Sequence, residues 1–224
     1  MKKIKVYAIV ALLLFNFAIV VYAKVNFTHI GQIPATIIQI SPPNYAMNPS
    51  GTQLSVLNNL NELMDKATQV SLIKVSSDKT YYPGASQCTL TVLKTFKGNQ
   101  DLETINMIEN LDIQREAGEM TMYSTEGYVP LLKDEEYIVF LNKTGNDYFE
   151  NSFMYADKIF TKFLANHQAT KIIENEINNP LPFMEIEGVD YVNVLWDEEQ
   201  LSEFKKVDEV YRMIKTEFNE TYEY

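Results

Sequence analysis

The sequence predicts a mainly β protein with accessory helices: an antiparallel β-barrel preceded by an N-terminal membrane helix and followed by a C-terminal amphipathic helix. Three observations predict it. Strand-like runs at Val70–Val75, Cys88–Phe96 and Tyr137–Leu141 are each closed by Gly, Asn or Asp, as at Gly98-Asn99 and Gly145-Asn146, the pattern of antiparallel strands with tight connections. A long uncharged run lies close to the N-terminus, and an apolar stripe at helical spacing lies close to the C-terminus.

The bulk properties fit one domain with a core plus accessory segments. The chain has 224 residues, 46% hydrophobic and 22% charged, which argues against wholesale disorder. Its net charge is -11, and removing the three leader lysines Lys2, Lys3 and Lys5 leaves -14 for the remainder. Such a surface repels phosphates and anionic headgroups, so nucleic acid is excluded as a partner. The single cysteine, Cys88, excludes an intrachain disulfide and multi-cysteine metal sites. It stands in phase with Leu90 and Val92, which places an inert thiol on the inward face of its strand. An exported chain without disulfides suits a bacterial cell envelope.

Taken in order, the chain begins with those lysines and an uncharged run from Val6 to Ala23. Eighteen residues at about 1.5 Å each span roughly 27 Å, near the hydrocarbon thickness of a bilayer. The positive flank predicts a cytoplasmic N-terminus and a single pass, with the C-terminal domain outside the cell membrane. Val21-Tyr22-Ala23 also fits signal-peptidase cleavage, so the alternative is secretion after cleavage at Ala23. From Lys24 to Gly51 come Pro34, Pro42, Pro43 and Pro49, a composition that reads as an extended stalk, with Ala35–Ile40 as an edge strand within it. His29 stands in the stalk as a solvated side chain. A helix follows, capped by Ser50 or Thr52, with Val56, Leu57, Leu60, Leu63 and Met64 on one face and its end near Asp65-Lys66.

The order of features from here carries a resemblance. Leu60-Asn61-Glu62-Leu63-Met64-Asp65-Lys66-Ala67 leads into the Val70 strand, and a second strand ends Val92-Leu93-Lys94-Thr95-Phe96-Lys97-Gly98. A third, Thr104-Ile105-Asn106-Met107-Ile108, precedes Leu131-Leu132-Lys133-Asp134-Glu135-Glu136-Tyr137-Ile138-Val139-Phe140-Leu141. Over about Leu54–Ile173 this resembles bacterial exported domains with an OB-like barrel, similar to tissue inhibitors of metalloproteinases and netrin-type modules. The resemblance implies the barrel. Protease inhibition does not carry over, because those inhibitors chelate zinc through an N-terminal cysteine, whereas here Lys24 follows any cleavage and Cys88 is mid-strand.

The resulting division is 1–23 as signal anchor or signal peptide and 24–53 as a Pro-rich stalk. Residues 54–178 form the OB-like barrel domain with its leading helix, and 179–224 a C-terminal strand plus amphipathic helix. Asn110–Val129 reads as a long polar rim loop, with Arg115 against Glu116, Glu119 and Glu126, unlike the basic groove that nucleic acid needs. Asp157–Ile177 reads as a helix or as a hairpin of Lys158–Leu164 and Ala169–Ile173 with His167 at the tip; the resemblance favours the hairpin. Ile186–Trp196 reads as a strand or strand pair, with Trp196 as a core anchor. Asp197-Glu198-Glu199-Gln200 makes a capping box. Leu201, Phe204, Val207, Val210, Tyr211, Ile214 and Phe218 then give a helix over about Glu198–Phe218, docked on the sheet.

No catalytic, cofactor-binding or metal-ligating residue is assigned. Two histidines, His29 and His167, do not supply a triad, and no zinc-binding helix motif, nucleophile elbow or phosphate loop is present. Asp147 and Glu150 lack the alternating pattern of a calcium loop. Two functions remain: a non-catalytic extracytoplasmic binding module with an envelope protein as partner, and an envelope hydrolase using paired carboxylates.

Overall fold

The computed structural model describes residues 37–40, 57–82, 84–116, 119–124, 128–145, 151–157, 160–165, 172–176, 181–182, 189–195 and 201–223. Its first strands are β1 (Ile37–Ile40), β2 (Gln69–Val75), β3 (Thr80–Tyr82), β4 (Ala85–Lys97), β5 (Thr104–Glu109), β6 (Leu111–Glu116) and β7 (Glu119–Ser124). They are followed by β8 (Glu136–Lys143), β9 (Ser152–Tyr155), β10 (Lys162–Leu164), β11 (Ile172–Glu176), β12 (Leu181–Pro182) and β13 (Tyr191–Leu195). The two helices among these residues are α1 (Leu60–Lys66) and α2 (Leu201–Tyr222). The predicted membrane helix at 1–23 lies outside the described residues. Among them, no helix is long and apolar enough to cross a membrane.

Five strands close a barrel. β2 pairs with β4, β4 with β5, β5 with β9, β9 with β8, and β8 back with β2. The three runs singled out in the sequence are thus neighbours, β2 lying between β4 and β8. The expectation of a purely antiparallel barrel is corrected at one joint, since β5 and β9 run parallel. An odd number of strands cannot alternate direction all the way round a ring, so one pair has to be parallel.

Period-two alternation decides which side chains fill the barrel. Ile73 and Val75 of β2, Cys88 and Leu90 of β4, Ile105 and Met107 of β5, and Tyr137, Val139 and Leu141 of β8 form one buried cluster inside it. The intervening residues Val70 and Leu72 of β2 and Ile138 and Phe140 of β8 point the other way, into a second cluster with Leu60 and Leu63 of α1 and Val207, Tyr211, Ile214 and Phe218 of α2. Phe218 packs edge-on against Phe96 with centroids 5.0 Å apart, and Phe163 against Tyr211 at 5.3 Å. The C-terminal helix therefore docks on the barrel as its apolar stripe predicts.

Other expectations are corrected. α1 starts at Leu60 rather than at Ser50 or Thr52: Asn59 is its cap, its Oδ1 accepting from Glu62 N at 3.0 Å, while Glu62 reaches back to Asn58 N. Glu217 of α2 accepts from Leu60 N at 3.2 Å, so the two helices share a cap. Ile37–Ile40 is an inner strand rather than an edge, flanked by β12 and, in parallel, by β7. The rim loop foreseen at 110–129 contains a hairpin, β6 with β7, from Leu111↔Ser124 to Glu116↔Glu119. Among the described residues of 157–177 neither the helix nor the hairpin is present: β10 pairs with β8 and β11 runs parallel to β13. Both partners are set by non-local contacts, which outweigh the local turn preference at 166–168. α2 extends to Tyr222, about one turn beyond the predicted Phe218.

Gln69 closes one end of the barrel. Its Nε2 donates to Ser71 Oγ at 2.8 Å and its Oε1 accepts from Asn99 N at 2.8 Å. Gly98 makes that approach, with φ +102° and room for no side chain: a Cβ there would lie 2.6 Å from the carbonyl oxygen of Thr68. Gly98→Ala is expected to destabilise the protein by about 1–3 kcal/mol in urea unfolding. An unchanged midpoint would show that the turn is not so constrained.

Candidate functional site

The opposite end of the barrel is closed by ionised side chains. On β5 the inward row Ile105, Met107 continues to Glu109, which is fully buried and lies across from Ser86 of β4. Glu109 receives four donors. Ser86 Oγ (3.2 Å) and Lys79 Nζ reach Oε2, while Leu131 N (2.9 Å) and Tyr128 OH reach Oε1. Tyr128 in turn shares a hydrogen bond with Tyr155 OH, their rings 5.0 Å apart.

Lys162 lies beside this group. Because it pairs with Val139 and stands two residues before Leu164, its side chain enters the barrel. Its Nζ sits 5.1 Å from the ring centre of Tyr128 and 5.5 Å from that of Tyr137, and donates to the carbonyl of Asp190 at 3.3 Å. Asp190 takes Lys215 Nζ on Oδ2 and Leu164 N on Oδ1, both at 2.6 Å. Tyr211 OH donates to the carbonyl of Lys162. The same set of bonds that encloses the lysine therefore fastens α2 to β10.

Among the described residues, three ammonium groups, on Lys79, Lys162 and Lys215, face two carboxylates. The surplus cation is the one with no exposed surface. Burial pushes Lys162 down to about 8, with Asp190 and Glu109 opposing the fall and Lys79 and Lys215 adding to it. Burial, reinforced by Glu109, raises the Tyr128 and Tyr155 hydroxyls well above their ordinary range. The Cys88 thiol is pushed up to about 12 by burial and then by Glu109, so it stays protonated and unreactive at neutral pH, as its inward phase predicts.

The other side chains singled out in the sequence do not join this cluster. His29, His167, Trp196, Glu126, Asp147 and Glu150 lie outside the described residues, and Arg115, Glu116 and Glu119 are described by their backbone alone. Among the described residues no group of three or more His, Cys, Asp or Glu stands together to hold a metal. The residues that do assemble, Lys79, Glu109, Lys162, Asp190 and Lys215, were not foreseen. Two carried a signal: Glu109 falls in phase with Ile105 and Met107, and Lys215 falls among Tyr211, Ile214 and Phe218 on the buried stripe of α2. A charge in register with an apolar row marks a buried ion pair. No family model, curated protein or solved structure matches the chain.

The surplus cation has a consequence for pH. Lys162 has a pKa of about 8 in the folded state against 10.5 when unperturbed, so between those values the unfolded chain holds a proton that the folded chain has released. Folding stability gains from this group as pH rises through that window. Cys88, Tyr128, Tyr155 and Tyr211 act in the opposite sense at higher pH, since each is raised in the fold. A difference measurement isolates the lysine. Lys162→Met is expected to be the more stable protein at pH 7, by about 2 kcal/mol in urea unfolding. That advantage should shrink between pH 8 and 10.5; a difference independent of pH would contradict the assignment.

Proposed function

We propose that this chain is a non-catalytic interaction module held at the outer face of a bacterial cell membrane by its N-terminal run. The observation that carries the reading is the engagement of the two carboxylates that are buried among the described residues. A paired-carboxylate hydrolase needs one carboxyl free to protonate a leaving group and another facing a water or a sugar carbon. Both oxygens of Glu109 and both of Asp190 are instead taken up by lysines, hydroxyls and backbone amides of the chain itself. Asp190 ties β10 to α2, and Glu109 ties Lys79, Ser86 and the 128–131 segment to β5, which is an architectural use.

The ring order supports an OB-like reading of the barrel. Counting only its five strands, the neighbours run first, second, third, fifth, fourth and back to first, with the third and fifth parallel. This is the architecture implied by the likeness to tissue inhibitors of metalloproteinases and netrin-type modules, and barrels of this kind present ligands with an outer sheet face and loops. The proposed placement rests on the lysine-flanked apolar run of residues 6–23 and on the lone, enclosed cysteine.

Two measurements test the reading on the full chain. Asp101 is exposed in the turn between β4 and β5, so Asp101→Cys is expected to react with a membrane-impermeant maleimide on intact bacteria, against the silent background of Cys88. Labelling only after lysis would overturn the extracytoplasmic placement. After mild detergent extraction the chain is expected to migrate in native electrophoresis as a complex larger than a 25.8 kDa monomer in its micelle. A monomer would overturn the interaction role.

A further inference from the structure

We propose that the partner of this module is a second copy of itself, met across the outward face of β4 and β5. The inference rests on the interaction reading and adds to it the surface and the occupant. Because Cys88 and Leu90 fill the barrel, Thr89 and Thr91 of β4 point outward. Because Ile105 and Met107 do the same on β5, Thr104 and Asn106 point outward beside them, paired as Thr89↔Asn106 and Thr91↔Thr104. The outward positions of β4 from Gln87 to Leu93, and of β5 from Thr104 to Ile108, carry no charge at all. Leu93 and Met154, at the borders of this face, are 47% and 46% exposed. On the other side of the barrel, the outward face of β2 and β8 is covered by α1 and α2.

Electrostatics then selects the occupant. Beyond the leader the chain carries a charge of -14, so two copies repel wherever their charged surfaces meet. An uncharged face is where that penalty is smallest. Thr89 Oγ1 donates to Asn106 Oδ1 within the face at 3.3 Å, while the hydroxyls of Thr91 and Thr104 both donate and accept, so the face around them is its own complement across a two-fold axis. The charges at its borders are also matched. Lys74 of β2 pairs in register with Thr91, and exposed Glu103 immediately precedes Thr104, one strand further round. Neither has an ion-pair partner among the described residues. A two-fold axis running along β4 at Thr91 sets Lys74 of each copy opposite the Thr104 side of the other, within reach of Glu103.

The test uses the full chain in its membrane. Thr91→Cys is expected to give a disulfide-linked species of twice the mass on mild oxidation, while Glu209→Cys, exposed on α2, gives none; buried Cys88 does not compete. Lys74→Glu added to Thr91→Cys should abolish the cross-link, and Glu103→Lys added to both should restore it. Absence of the Thr91→Cys cross-link, an equal yield at Glu209→Cys, no effect of Lys74→Glu, or no restoration by the charge swap each overturn the proposal. If the complex persists in native electrophoresis without the cross-link, the two-fold pairing fails and the interaction role stands. If both are lost, both fail.

Discussion

Everything in this structure depends on β8 being buried on both faces. Tyr137, Val139 and Leu141 project into the barrel while Ile138 and Phe140 project beneath the helices. One edge of the strand is paired along its length with β2; the other is divided between β10, opposite Tyr137–Val139, and β9, opposite Leu141–Lys143. A central strand with both faces covered reads as a continuous apolar run, and Tyr-Ile-Val-Phe-Leu is the longest such run in the described chain. The barrel core and the helical layer meet through β2 and β8, helped by β10, whose Phe163 and Leu164 face opposite layers, and by β4 through Phe96. A polar residue at any of these positions would therefore open one layer or the other.

Once the wall is closed, its two ends have to be stopped. Gln69, Ser71 and Asn99 stop one end with neutral hydrogen bonds, and Gly98 permits the close approach. The other end uses charge. Glu109 draws in Lys79, Ser86, Tyr128 and the Leu131 amide, while Asp190 draws in Lys215 and the Leu164 amide. Buried ion pairs contribute little net stability compared with well-packed apolar groups, but each orphaned partner would be costly. Such a cluster favours one arrangement of its segments over near alternatives. Here those segments are the 160–165 strap, the 189–190 turn and α2, three pieces far apart in sequence that share no apolar pattern.

The parts legible in the sequence were those whose signal is local. β2, β4, β5 and β8 announce themselves by alternation and β-branching, and α2 by apolar residues at three- and four-residue spacing. The β6–β7 hairpin reads as a loop in the sequence because Asp112, Gln114, Arg115 and Glu116 dilute the alternation of Leu111 with Ile113 and of Met120 with Met122. The strand Ile37–Ile40 is visible, but its position between β7 and β12 is not, since pairing across 84 residues to β7 and 143 or more to β12 leaves no trace in a short window. The same reason hides the charged end. Lys79 and Glu109 are 30 residues apart and Asp190 and Lys215 are 25 apart, so only their phase within apolar rows betrays them.

Native-state hydrogen exchange followed residue by residue tests this account most directly. With β8 as the member that both layers depend on, the amides of Ile138, Val139 and Phe140 should be among the last to exchange, opening only with global unfolding, while those of the β6–β7 hairpin exchange through local opening. Exchange of the β8 amides as fast as those of the hairpin, with the rest of the barrel still protected, would contradict it.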